Sequence, residues 1–260
     1  MDAHGVTSAN KGEIYLAVRT KTILACILHW ILVLSVISLV ITGFYIANPV
    51  YYYGMGEAYQ AFAMANMRTI HFVAATILIS VVVLRIYIAV GPKDSITIRD
   101  YKQFLPTPRN IVNAIKLAWY FLTGNGAHGH YRYINPLGGI GVFGMIVFMF
   151  GMIFTGFLLY LPGENPNTIW YSIAASLTNM LGGQQNVRLL HHLTMYFLMF
   201  VVFIHIYMQI WKNTMFAESD ISAIIGGYKV FPVSKIGHFS DYYQVAEEDF
   251  LSQPKEEKVK

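Results

Sequence analysis

The apolar residues of this chain fall into four long runs, at positions 23–47, 70–90, 137–161 and 189–211. Each is close to the ~20 residues that a helix needs to cross a bilayer. Two shorter runs, 111–122 and 169–181, are too brief to span and read as amphipathic helices lying in the membrane interface. The pattern therefore predicts an all-α membrane protein. Residues 1–215 form a four-transmembrane-helix bundle with short interfacial helices. A tail, 216–260, follows, and its end, QPKEEKVK, has the composition of a disordered segment. No sequence repeat links the first two spans with the last two. The first run is too long for the core of a signal peptide and no small-residue cleavage site follows it, so it reads as a retained span.

Composition agrees with this picture. Of 260 residues, 55% are hydrophobic and 12% charged, about half the charged share of a soluble domain. The formal charge of +4 is too small to point to a nucleic-acid partner, and its placement is more informative than its size. Lys11, Arg19 and Lys21 precede the first run. Lys93, Arg99, Lys102, Arg109, Lys116 and Arg132 lie between the second and third, and Lys212, Lys229, Lys235, Lys255, Lys258 and Lys260 follow the fourth. The two remaining connections hold Arg68 and Arg188 alone. Basic residues collect on the cytoplasmic side, so this bias predicts a multi-pass protein of the cytoplasmic (inner) membrane with both termini in the cytoplasm. The single cysteine, Cys26, excludes an internal disulfide and a cysteine-held cluster.

Within such a bundle the histidines stand out, because ionisable groups are costly in hydrocarbon and mark function by default. In the fourth run His191 and His205 are 14 residues apart, close to four whole turns, so both leave one helix face roughly 21 Å apart. Two imidazoles on one face suit two haems, one towards each side of the membrane. Depth then supplies the partners. His29 and His205 each lie about 9 Å below the inner edge of their spans. His71 and His191 both fall at the outer edge, as the second and third residues of theirs. The expectation is a di-haem bundle, with an outer site between His71 and His191 and an inner site between His29 and His205. Bis-imidazole ligation of non-covalent b-type haems is the simplest occupant, since both axial positions are filled and the iron is left to electron transfer. The competing reading of such histidines is a proton relay or a helix–helix hydrogen bond in a transporter or anchor.

Other positions follow the same geometry. Gly43, 14 residues after His29, leaves room for a porphyrin against the backbone at outer depth. Arg85, 14 after His71, either pairs with a haem propionate at inner depth or snorkels to the inner interface. The third span has no histidine but carries Gly138, Gly139, Gly141, Gly144, Gly151 and Gly156, which reads as close packing against helices or haem. His192 projects about 100° away from His191 and cannot share its iron. His191 is preferred as ligand because its spacing to His205 is 14, leaving His192 to bond a propionate or face a partner protein.

These residues resemble the b-type cytochrome subunit of membrane-bound nickel–iron hydrogenases, across all four spans. The carrying motifs are I-L-H-W-I-x-x-L-S-V-x-x-L-x-I-T-G (Ile27–Gly43), Arg68-x-x-His71-Phe72, Arg85-Ile86-Tyr87, Asn135-Pro136-Leu137, and R-x-x-H-H-L-x-M-Y with a distant H-I-Y. Cys26 stands where the family has arginine, Tyr196 where it has tryptophan and Val201 where it has phenylalanine. The resemblance implies His29, His71, His191 and His205 as haem ligands. It also implies a hydrogenase large subunit that splits hydrogen and a small subunit whose iron–sulfur clusters deliver electrons on the periplasmic side. This chain would then reduce membrane quinone without splitting hydrogen itself.

The cytochrome b subunit of respiratory formate dehydrogenases is a related alternative, and by analogy with it Asn135 and Gly138 are candidate quinone contacts near His205. Tyr51, Tyr52, Tyr53, Trp170 and Tyr171 are either a docking surface for the electron donor or an interfacial aromatic belt. His128 and His130, in AHGHYR, are candidates for proton supply to the quinone or plain solvated loop residues.

Overall fold

A computed structural model describes residues 15–49, 62–90, 105–124, 135–161, 166–215 and 220–232. In chain order these form β1 (Tyr15–Arg19), α1 (Ile23–Ala47), α2 (Ala63–Val90), α3 (Pro108–Thr123), α4 (Pro136–Tyr160), α5 (Ile169–Met180), α6 (Gln184–Met215), α7 (Asp220–Ile225) and β2 (Tyr228–Pro232). Four of them, α1, α2, α4 and α6, are long and apolar enough to cross a membrane, and this is a multi-pass helical membrane protein. Large apolar side chains remain open along the spans, among them Leu34, Ile41, Phe200 and Phe203. Lipid, not water, is the solvent that tolerates them. Polar residues inside the spans satisfy themselves locally. Ser35, Ser38, Thr69, Thr76 and Ser80 each donate to the carbonyl four residues back, so none of these hydroxyls faces hydrocarbon unbonded.

Two helices exceed the apolar runs that announce them. α2 begins at Ala63 and α6 runs from Gln184 to Met215, where hydropathy alone gave 70–90 and 189–211. Polar residues such as Asn66, Arg68, Gln184, Gln185 and Arg188 are good enough helix formers to continue the ladder past the hydrocarbon edge. His71 thus lies about 12 Å, and His191 about 10 Å, inside the first residue of its helix, not at its end. The shorter elements have defined caps. Thr107 accepts from the Asn110 N–H at the head of α3, with Pro108 following and Gly124 closing the helix at φ 71°. Thr168 accepts from the Tyr171 N–H at the head of α5.

The chain divides into two compact units. The first comprises residues 23–93 and 144–204, and holds α1, α2, α5 and the greater part of α4 and α6. Within it α5 is fastened by a small core of Leu158, Ala174 and Val187, ringed by Leu159, Leu161, Leu177 and Leu181. The turn from α5 into α6 uses Gly182 and Gly183 at φ 85° and 94°, a conformation costly for residues with a Cβ.

The second unit gathers 1–22, 94–143 and 205–260. There α3 buries Asn110, Ala114 and Leu117 on one face, and Phe121 meets Trp211 edge to face at 4.9 Å. The sequence pattern gave no hint of the two strands of this unit, which form an antiparallel ribbon from Tyr15↔Pro232 to Arg19↔Tyr228. Part of what reads as tail is therefore ordered. Gly227 closes the ribbon. Its carbonyl accepts from the Thr20 and Lys21 N–H groups at 2.8 and 3.1 Å, and a Cβ there would stand 2.6 Å from the Lys21 carbonyl oxygen.

Candidate functional site

The site in the first unit starts from two threonines. Thr42 on α1 donates its hydroxyl to the Ser38 carbonyl at 2.7 Å, and Thr155 on α4 donates to the Gly151 carbonyl at 2.7 Å. With its one proton so engaged, each oxygen faces an imidazole as an acceptor. The His71 Nδ1 lies 2.8 Å from Thr42 Oγ1, and the His191 Nδ1 lies 2.7 Å from Thr155 Oγ1. This arrangement matches an Nδ1–H tautomer on both rings, in which Nε2 of each keeps an open lone pair. An imidazole anchored at one nitrogen and bare at the other is the arrangement that metal-binding histidines adopt.

Glycine borders each ring. A Cβ on Gly43 would lie 3.6 Å from His71 Cε1 and 4.0 Å from Met195 Sδ, and one on Gly156 would lie 3.6 Å from His191 Cε1. Edge-to-face aromatic pairs brace the four helices around them. Phe44 meets Tyr196 at 6.0 Å, and Phe72 meets Tyr160 at 5.2 Å. Gly151 allows α4 to approach α6 closely, since a Cβ added there would stand 3.2 Å from the Thr194 methyl.

The donor chemistry decides what fits here. The four spans contain no aspartate or glutamate, and the one cysteine, Cys26, sits at the opposite end of α1 from Thr42. A bare divalent cation needs three or four protein ligands. Two neutral imidazoles suit a metal that brings its own equatorial donors, and a haem iron asks for two axial bases and nothing more. The residues present fit a b-type haem.

The remaining candidates lie as follows. His29 is half-buried in the second turn of α1, edge-on to Trp30 at 5.8 Å, and His205 is half-buried on α6 within the second unit. Arg85 is exposed, and its Nη2 donates to the Ala25 carbonyl at 3.1 Å, tying α2 to the first turn of α1 at the level of His29. His192 is half-buried beside His191. Asn135 is buried and acts as a helix cap: its Oδ1 accepts from the Gly138 N–H at 2.6 Å, and Pro136 opens α4. Trp170 is exposed and Tyr171 half-buried. His128, His130, Tyr51, Tyr52 and Tyr53 lie outside the described residues. Thr42, Thr155 and Met195 escaped sequence reasoning as site residues. The available signal was a tripeptide shared by the first and third spans, Thr42-Gly43-Phe44 and Thr155-Gly156-Phe157.

Fold and site together define a membrane-embedded helical bundle with two threonine-bonded imidazoles at its candidate site. The family model for prokaryotic cytochrome b561 matches residues 21–227, and the chain belongs to that family, which implies b-type haem. A protein of Rhizobium leguminosarum bv. viciae is 30% identical over 243 residues, covering 88% of this chain and 94% of its own. One of Cupriavidus necator is 32% identical over 209 residues, with 78% and 83% covered. Both are called probable Ni/Fe-hydrogenase B-type cytochrome subunits. A probable Ni/Fe-hydrogenase 1 B-type cytochrome subunit of Escherichia coli K12 is 27% identical over 223 residues, with 81% and 89% covered.

Proposed function

We propose that this chain is the membrane electron-transfer subunit of a nickel–iron hydrogenase. It receives electrons from the iron–sulfur small subunit at the periplasmic face and delivers them to quinone. Two b-type haems would supply the one-electron chemistry, the outer held by His71 and His191 and the inner by His29 and His205. The observation that carries this reading is the pair of threonine-anchored imidazoles with open Nε2 positions among helices that hold no carboxylate. The names of the relatives favour a hydrogenase over a formate dehydrogenase as donor.

The fifteen basic residues of the termini and the 91–136 connection, against two on the other side, support cytoplasmic termini in the inner membrane. The pairing of β1, before the first span, with β2, after the fourth, is consistent with both lying on one side. Electrons entering outside and leaving inside move against the usual potential, at ~2.3 kcal/mol per unit charge per 100 mV. Hydrogen oxidation outside and quinone protonation from inside would therefore conserve energy as a membrane potential.

The test is the complex purified with its partner. Hydrogen should reduce two bis-histidine b-type haems per chain, and a soluble quinone analogue should reoxidise them. A colourless chain in well-folded protein would overturn the haem reading. Haems that respond to formate and not to hydrogen would move the chain to the runner-up donor.

A further inference from the structure

The two helix pairs of the first unit carry one device twice. On α1 the run Ser38-Leu39-Val40-Ile41-Thr42-Gly43-Phe44, and on α4 the run Gly151-Met152-Ile153-Phe154-Thr155-Gly156-Phe157, place a threonine hydroxyl back-bonded to the carbonyl four residues earlier. The next residue in each is a glycine, whose added Cβ would stand 3.6 Å from a histidine Cε1. In each the threonine oxygen meets a histidine Nδ1, at 2.8 Å and 2.7 Å. The histidine comes from a different helix in each case, α2 for the first and α6 for the second. Back-bonding within one helix would satisfy a threonine by itself. Turning the oxygen's remaining acceptor capacity onto a ring on a neighbouring helix is a second use of the same atom.

We infer that Thr42 and Thr155 are matched positioning residues of the outer haem. Each fixes one axial imidazole as the Nδ1–H tautomer with Nε2 directed at iron. They act equivalently because each occupies one of the two Thr-Gly-Phe copies. The acceptor each offers is a neutral hydroxyl, not a carboxylate. A hydrogen bond to Nδ1–H raises the basicity of the ligand and favours the ferric state, and outer partners of this kind govern affinity by roughly 10–100-fold. The glycine beside each threonine keeps the ring edge clear, so hydroxyl and empty position work as a pair.

This inference rests on the haem reading above, and the experiment separates the two. Thr42→Val and Thr155→Val remove the hydroxyl at nearly constant shape, and Thr42→Ser and Thr155→Ser restore it. In the purified complex, optical redox titration and the low-spin ferric electron paramagnetic resonance spectrum report each haem by itself. The inner haem serves as the control for folding. Each valine variant should raise the midpoint potential of the outer haem, move its low-spin signal and weaken its retention by roughly tenfold or more, while the inner haem stays put and serine returns both readouts to wild type. Wild-type protein without b-type haem would overturn the functional reading and this inference with it. Two haems in the wild type with both valine variants unmoved would overturn the inference alone. So would a shift at one threonine and none at the other, because the equivalence of the two copies would be gone.

Discussion

The pair α1–α2 and the pair formed by α4 and α6 solve one problem with different scaffolds. In the first, threonine and histidine are 29 residues apart in sequence, and in the second 36. The connection in the second pair holds α5, its leucine-ringed core and the turn at Gly182 and Gly183. In the first pair the connection lies between Ala47 and Ala63. Yet the distance from each threonine oxygen to its imidazole differs by only 0.1 Å. The lesson is that the site is set by what happens along the helix axes, where a hydroxyl and a missing side chain fall in successive positions. The connections set which helices meet and leave the local geometry to the Thr-Gly-Phe copies.

The largest effect should come from the histidines proposed as ligands. His71→Ala and His191→Ala should each lower the haem content of the purified chain from about two to about one, with the same haem lost in both, because an iron with one axial base is poorly held in this site. Haem-to-protein ratio and redox titration read this directly. His192→Ala should retain both haems. Loss of the outer haem in His192→Ala and its survival in His191→Ala would exchange the roles of the two neighbours and break the symmetry between the helix pairs.

Next come the glycines. An alanine at Gly43 or Gly156 would meet the histidine ring at 3.6 Å, an ordinary contact, and should be accepted. Valine adds branches that the packed helices have no room to take, and overpacking of this kind costs about 1–3 kcal/mol. Outer-haem retention should fall by roughly tenfold or more for Gly43→Val and Gly156→Val, with Gly43 the more sensitive because Met195 Sδ also stands 4.0 Å away. Equal retention in the valine variants and wild type would mean that the empty positions are plain helix packing.

The difference in scaffold is probed at Gly183. No atom stands within 4 Å of an added Cβ there, so Gly183→Ala isolates the cost of φ 94°. That cost is about 1–2 kcal/mol. It should appear as a lower thermal midpoint for the outer haem band, with the room-temperature spectrum unchanged. An unshifted midpoint would show that the connection through α5 does not help to hold His191 in place.

How much of this could be read from the chain depends on distance along it. The four spans were legible because an unbroken apolar run of some twenty residues is rarely compatible with anything but lipid on both flanks. His71 and His191 stood out as candidates because an imidazole inside a span has few tolerable fates. Helix ends were not legible at α2 and α6, since the ladder runs on through Arg68 and Arg188 while hydropathy stops. Thr42 and Thr155 were hidden by their ordinariness. A threonine in a span is satisfied by its own helix, and nothing in one sequence says that its oxygen also serves a neighbour. The ribbon was hidden by separation. Arg19 pairs with Tyr228, and two five-residue strands that far apart carry no periodic signal strong enough to announce each other.

The smallest effect, and the sharpest for function, is at Asn135. As a candidate quinone contact it competes with the role its geometry gives it, an N-cap whose Oδ1 accepts from Gly138 at 2.6 Å. Asn135→Ala should destabilise α4 by about 1 kcal/mol. Asn135→Ser keeps a capping oxygen and should recover that stability. The two roles then part in the quinone assay. If the side chain only caps, the serine variant will reduce a quinone analogue with unchanged KM and kcat. If it also binds quinone, serine will restore the thermal midpoint and still raise KM, because a shorter hydroxyl can cap the helix without reaching a substrate that the amide reached.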